Sequence, residues 1–263
     1  MDFSTLLKID VGVYWFLAFA YAACFIAYTI RTGGVFKLDW VVFGLHTALI
    51  VFRWVEAGHP PFQSLYECLS FFSWSGVLAF LMIKRFGRLP LRSGGAVLFA
   101  IASAAMFYGV TREARPIPLS PALDTIWFSW HIPPAFASYA LFVAAFSLKI
   151  EDLVRRGAEP KYDYYSYLLI LFGFPLLTFC IFSGAGWAEE AWGTYWSWDP
   201  KETASLVTWC VYAAYLHAKR KPPFSGWPAT VLNILGFVSM VFTFLGFNWI
   251  AKLLGLPTFH AYV

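Results

Sequence analysis

The 263-residue chain is 60% hydrophobic and only 13% charged, with a mean hydropathy of +0.63. Soluble domains carry about a quarter charged residues, so this composition excludes a soluble enzyme and identifies a polytopic membrane protein. The formal net charge of +4 calls for no nucleic-acid partner, because the distribution of Lys and Arg described below accounts for it.

A bilayer core takes about 20 apolar residues of helix, and eight stretches approach that length: 11–30, 39–55, 66–83, 93–110, 128–148, 165–184, 202–218 and 229–250. The second, third and seventh are short or interrupted by polar residues. Asp10 directly precedes the first run, which is long enough to span the bilayer, so the first span is expected to stay and not be cleaved. The expected fold is an all-α membrane helix bundle of about eight transmembrane helices. No repeat and no Gly/Ser-rich linker divides the chain, so residues 1–263 are expected to form one domain.

Orientation follows from the basic residues. The connections after spans one, three, five and seven hold Arg31, Lys37, Lys84, Arg85, Arg88, Arg92, Lys149, Arg155, Arg156, Lys161, Lys219, Arg220 and Lys221, while Lys8, Arg53, Arg112, Arg115, Lys201 and Lys252 scatter over the other side. By the positive-inside rule both termini and the even-numbered connections are expected to be extracytoplasmic.

Five histidines are distributed along this frame. His46 lies within the second span, His59 in the second connection, His131 at the outer start of the fifth span, His217 at the cytoplasmic end of the seventh, and His260 after the last. His46 serves either an interhelical contact or the lining of an inner cavity; His59, in "GHPP", serves either a loop or a ligand site. The cysteines, Cys24, Cys68, Cys180 and Cys210, form no CxxC pair and read as small buried hydrophobes. No CxxCH is present, so the chain is not itself a c-type cytochrome.

Between spans six and seven, Trp187, Trp192, Tyr195, Trp196 and Trp198 fall within twelve residues. Interfacial tryptophans are usually dispersed as a belt, and this clustering favours a ligand platform. Asp199, Pro200, Lys201 and Glu202 then read as N-cap, N1, N2 and N3, a capping-box pattern that fixes the helix start beneath the platform. Imidazole nitrogen, flat aromatic surface and an apolar setting suit haem; zinc is less well served, since no HExxH and no close histidine pair occurs. The positive end of the helix dipole, with Lys201 or Arg112 and Arg115, would suit the propionates.

"WGTYWSWDPKET" resembles the tryptophan-rich WWD signature of the haem-handling proteins of cytochrome c maturation, whose members include the CcsA (ResC), CcmC and CcmF types. "AGHPPFQSLYECLSFFSWS" at 57–75 and "SWHIPPAFASYA" at 129–140 are similar to segments of the CcsA type; the terminal "FHAYV" departs from the usual form, nearer "LHSY". The resemblance implies a WWD segment at about 186–203 that carries outer haem. It implies haem b as cofactor, with His131 and His260 on the outer iron, His217 on an inner haem iron, and Trp187, Trp192, Tyr195, Trp196, Trp198 and Asp199 forming the surround. It further implies a location in the bacterial cytoplasmic membrane, a CcsB (ResB)-type partner, an apocytochrome c with CxxCH as substrate, and a thiol reductant protein. The implied activity is that of a cytochrome c haem lyase subunit. Two alternatives stay open at this point: a CcmC-type exporter that passes haem on without forming the bond, and a b-haem membrane electron carrier.

Overall fold

In lipid, every backbone polar group must be satisfied within the segment, which leaves the helix as the form available to a single apolar run. The computed structural model describes residues 3–30, 36–121 and 123–246. Among these are eight α-helices and no strand: α1 (Phe3–Ile30), α2 (Phe36–Ala57), α3 (Leu65–Phe86), α4 (Ser93–Gly109), α5 (Ile126–Val154), α6 (Lys161–Trp192), α7 (Pro200–Lys219) and α8 (Trp227–Val241), the last running on into a π-helical turn, Phe242–Gly246. Every expected span has its helix, so the chain is an all-α integral membrane protein. Six of them, α1, α2, α3, α5, α6 and α8 with its π turn, are long and apolar enough to cross a membrane.

The two that fall short are α4 and α7, which differs in part from the sequence expectation. Helix α4 has 17 residues, about 25 Å at 1.5 Å per residue. Helices α2 and α3 instead reach 22 residues each, because the polar residues that seemed to interrupt them are paired and not solvated. Arg53 Nε donates to Glu67 Oε1 at 2.9 Å and Arg53 Nη1 to Asp10 Oδ2 at 3.0 Å and the Ala114 carbonyl at 2.6 Å. Glu67 also closes a capping box with Ser64 at the start of α3. A charge inside a span persists only with partners of this kind.

The described residues divide into two compact units. The first comprises, of the described residues, those of 3–120 with Ile150–Tyr162, where α1 packs on α2 and α4, and α3 on α2 and α4. Asp10, Tyr14, Leu17, Tyr21, Cys24 and Tyr28 form the buried stripe of α1 at helical spacing. Between membrane helices, hydrogen bonds and close packing replace the hydrophobic drive, and the tyrosines supply both. Tyr14 stacks on Tyr66 with ring centroids 4.1 Å apart, and Tyr28 donates to Asp39 Oδ2 at 2.6 Å, where Lys84 also binds at 2.7 Å.

His46 belongs to the same interhelical chemistry. It is fully buried, with Nδ1 2.7 Å from the Tyr21 hydroxyl on α1 and Nε2 2.8 Å from the Ser70 hydroxyl on α3. His59 lies with Nδ1 2.9 Å from the Pro60 carbonyl and Nε2 3.0 Å from that of Ile117, tying two connections together.

The second unit comprises, of the described residues, those of 121–149 and 163–246. Its core is aromatic: Phe142 of α5 stacks on Tyr212 of α7 at 3.9 Å, and Phe146 on Phe237 of α8 at 4.0 Å. Polar contacts set the register between helices. Asn233 donates to Ser166 at 2.9 Å, Ser166 to the Ala145 carbonyl at 2.8 Å, and Trp209 to Thr178 at 2.9 Å.

Candidate haem site at the ends of helices five to seven

His131 stands in the second turn of α5, and its neighbours on α6 decide its protonation pattern. Its Nδ1 lies 3.0 Å from the Cys180 carbonyl and 3.3 Å from the Ser183 hydroxyl. A carbonyl can only accept, so Nδ1 carries the hydrogen, and in the neutral ring Nε2, 4.0 Å from the Cys180 sulfur, is then the acceptor nitrogen. That is the tautomer of a metal-ligating histidine whose second nitrogen is anchored on the main chain. The Trp187 ring stands edge-on to the imidazole with centroids 5.8 Å apart, and the Cys180 sulfur is 3.7 Å from Nδ1.

The approach of α5 to α6 depends on two glycines. A Cβ at Gly184 would lie 2.7 Å from His131 Cε1, and one at Gly186 would lie 2.9 Å from the Trp127 ring. Trp127 in turn donates its indole N–H to Glu190 Oε2 at 2.6 Å. Sequence reasoning missed Trp127, Cys180, Ser183, Gly184, Gly186 and Glu190. The one available signal was the spacing of Trp127 and His131, four apart on one helix face, opposite a Gly-x-Gly in an otherwise bulky span.

The tryptophan segment follows Gly193, whose φ of +77° turns the chain out of α6. Trp196 and Trp198 meet edge to face with centroids 5.8 Å apart. Trp198 has a φ of +59°, a left-handed conformation that costs a bulky residue about 1–3 kcal/mol. Glu202 holds it there: its carboxylate accepts the main-chain N–H of Ser197 at 2.9 Å and of Asp199 at 3.2 Å, one on each side of Trp198. Asp199 is buried and caps α7, with Oδ1 accepting the Lys201 N–H at 2.8 Å. The expected N-cap and capping box are both present.

Two features of this segment suit a guest with a flat body and an anionic edge. Tyr195 and Trp198 expose 65% and 68% of their surface, which for large aromatic side chains is surface available for contact. The Trp196 indole N–H is buried without a hydrogen-bond partner among the described residues; such an orphaned donor costs about 1–3 kcal/mol until something accepts from it. Together with the His131 tautomer, these residues fit haem. Trp192, in the last turn of α6, is half-buried. Arg112 and Arg115 belong to the other unit, and Arg112 lies over the Tyr108 ring at 4.4 Å.

The inner candidate, His217, is exposed near the C-terminus of α7, with Nδ1 2.7 Å from the Ala213 carbonyl. Nδ1 is therefore the donor in this contact. Two residues on, Lys219 Nζ donates to Asp163 Oδ2 at 2.5 Å, and Lys149 pairs with the same carboxylate. His260, the other expected outer ligand, lies outside the described residues.

A family model described as cytochrome C assembly protein matches residues 62–254. The chain is 36% identical over 220 residues to the cytochrome c biogenesis protein CcsA of Chlamydomonas reinhardtii, an alignment covering 78% of this chain and 62% of that one. With the CcsA protein of Parasynechococcus marenigrum (strain WH8102) it shares 30% identity over 302 aligned positions, covering 100% and 97% of the two chains. Among solved structures, the cytochrome c heme lyase CcmF matches with a TM-score of 0.75 at 18% identity, over 97% of this chain and 51% of that one. At that identity the likeness is one of fold.

Proposed function

The chain belongs to the cytochrome c assembly family and is a CcsA-type cytochrome c biogenesis protein, and on that footing we propose that it holds haem b at an outer site for covalent attachment to the CxxCH motif of an apocytochrome c. The observation that supports this best is the His131 anchor: Nδ1 donates to the Cys180 carbonyl, 3.0 Å away, which orients the ring beside Trp187 with Nε2 as the nitrogen that would meet iron.

Haem, when bound, supplies the two vinyl groups to which the substrate thiols add. The chain's own residues bind and orient. His131 would hold the iron through its imidazole, and His260 would be the second ligand by resemblance to the family. Tyr195, Trp196 and Trp198 offer flat surface, and the Trp196 N–H offers a donor to an anionic edge. Asp199 and Glu202 fix that surface to the start of α7, where the helix dipole favours negative charge. Holding the reactants in place removes much of the entropic cost of their encounter, so no nucleophile or general base is required of this chain.

The rest of the arrangement comes from family resemblance and charge distribution. His217 ligates an inner haem near the cytoplasmic face, both termini and the tryptophan segment lie outside the cytoplasmic membrane, and a CcsB-type subunit completes a synthase. The thiols of the apocytochrome are kept reduced by a separate protein. Co-expression with a CcsB-type partner and a CxxCH substrate tests the proposal. Covalent haem on the substrate is the expected result; haem bound to the purified chain with no thioether product under any pairing would instead favour an exporter.

A further inference from the structure

We infer that Gly184 is a positioning residue for the outer axial imidazole, an inference that rests on His131 being an iron ligand. The ring of His131 lies against α6 at the Cys180 carbonyl and sulfur, the Ser183 hydroxyl, the edge of the Trp187 ring and the bare backbone of Gly184. A Cβ at 184 would stand 2.7 Å from Cε1, 3.1 Å from Nδ1 and 3.7 Å from Nε2. Cε1 joins the two nitrogens, so pressure there moves both. It stretches the anchoring bond to Cys180 and turns the Nε2 lone pair away from its present direction.

The ring has little freedom to yield. Imidazole hangs on two torsions, and its helix continues directly into Pro133 and Pro134, whose rings restrict the backbone. One turn earlier on the same face, Trp127 is seated over Gly186 and tethered to Glu190, which fixes this end of α5 against α6. A methyl group at 184 therefore displaces the imidazole more readily than it displaces the helix. Groups that orient a ligating histidine typically change metal affinity by about 10–100-fold when altered.

Haem titration followed by absorption and electron paramagnetic resonance, on the chain purified with its partner subunit, tests the assignment. Gly184→Ala is expected to weaken outer haem binding by about tenfold and to convert low-spin signal to high-spin. His131→Gly should lose the same signal, and added imidazole should restore it. The double variant His131→Gly/Gly184→Ala should be restored equally well, because an untethered imidazole can settle a few tenths of an ångström away. A wild-type spectrum and affinity in Gly184→Ala would overturn the inference. Failure of imidazole in the double variant alone would also overturn it, by assigning Gly184 to the fold. If His131→Gly itself kept the wild-type signal, the ligand role of His131 would fall, and the positioning role with it.

Discussion

The Nδ1 hydrogen of His131 points at the main-chain carbonyl of Cys180, 3.0 Å away on the neighbouring helix. A backbone acceptor cannot be removed by side-chain substitution, so the tautomer is set by the path of α6 and not by a second side chain. Ser183, at the longer distance of 3.3 Å, is secondary. Ser183→Ala is therefore expected to leave the spectrum of bound haem unchanged; a large shift would mean that the hydroxyl, not the carbonyl, anchors the ring.

Trp196 offers a test in which stability and binding move apart. Its indole N–H is buried without a partner among the described residues. Trp196→Phe is expected to leave the haem-free protein as stable as before, or more stable by up to about 1–3 kcal/mol, while lowering haem retention. Thermal unfolding in detergent and haem content per chain measure the two quantities. A parallel fall in both would show that the N–H already serves the fold.

Glu202 gathers the N–H groups on both sides of Trp198. Glu202→Ala should cost about 1 kcal/mol through loss of the capping box and, by releasing Trp198 from its left-handed conformation, should loosen outer haem while membrane insertion persists. Glu202→Gln, which can still accept both bonds, should retain most of the haem. Equal loss in the two variants would point to the charge of Glu202 and not to its clamp.

The polar groups of the first unit are expected to act on stability alone. Arg53→Met leaves Asp10 and Glu67 buried without their cation, which typically costs about 3–5 kcal/mol. Whatever folds should carry haem with an unchanged spectrum. A changed spectrum at unchanged stability would reassign this cluster to the haem path.

Direction of haem movement separates the two histidines. If haem enters near His217 and moves outward, His217→Ala should deplete both sites, and His131→Gly should spare the inner one. A fully loaded outer site in His217→Ala would indicate separate entry.

What could be seen in the sequence was local. The capping box at Asp199–Glu202 and the eight apolar runs depend on residues near one another, and both appear where expected. The lengths of α2 and α3 did not, because Arg53 and Glu67 read as interruptions until each is seen to pair with the other. The interhelical role of His46 required knowing that Tyr21 and Ser70 flank it. The contacts of Gly184 and Gly186 likewise depend on which face of α6 meets α5. The left-handed Trp198 carries no sequence signal at all, since tryptophan seldom adopts that conformation.

The most direct measurement is covalent cytochrome c yield in cells carrying the chain, its CcsB-type partner and a CxxCH substrate, with His131 replaced by glycine and imidazole absent or added. Loss of product in His131→Gly, with partial return on adding imidazole, is the expected result, because a free ring can fill the vacated axial position. An unchanged yield in His131→Gly without imidazole would contradict an outer haem site built on this histidine.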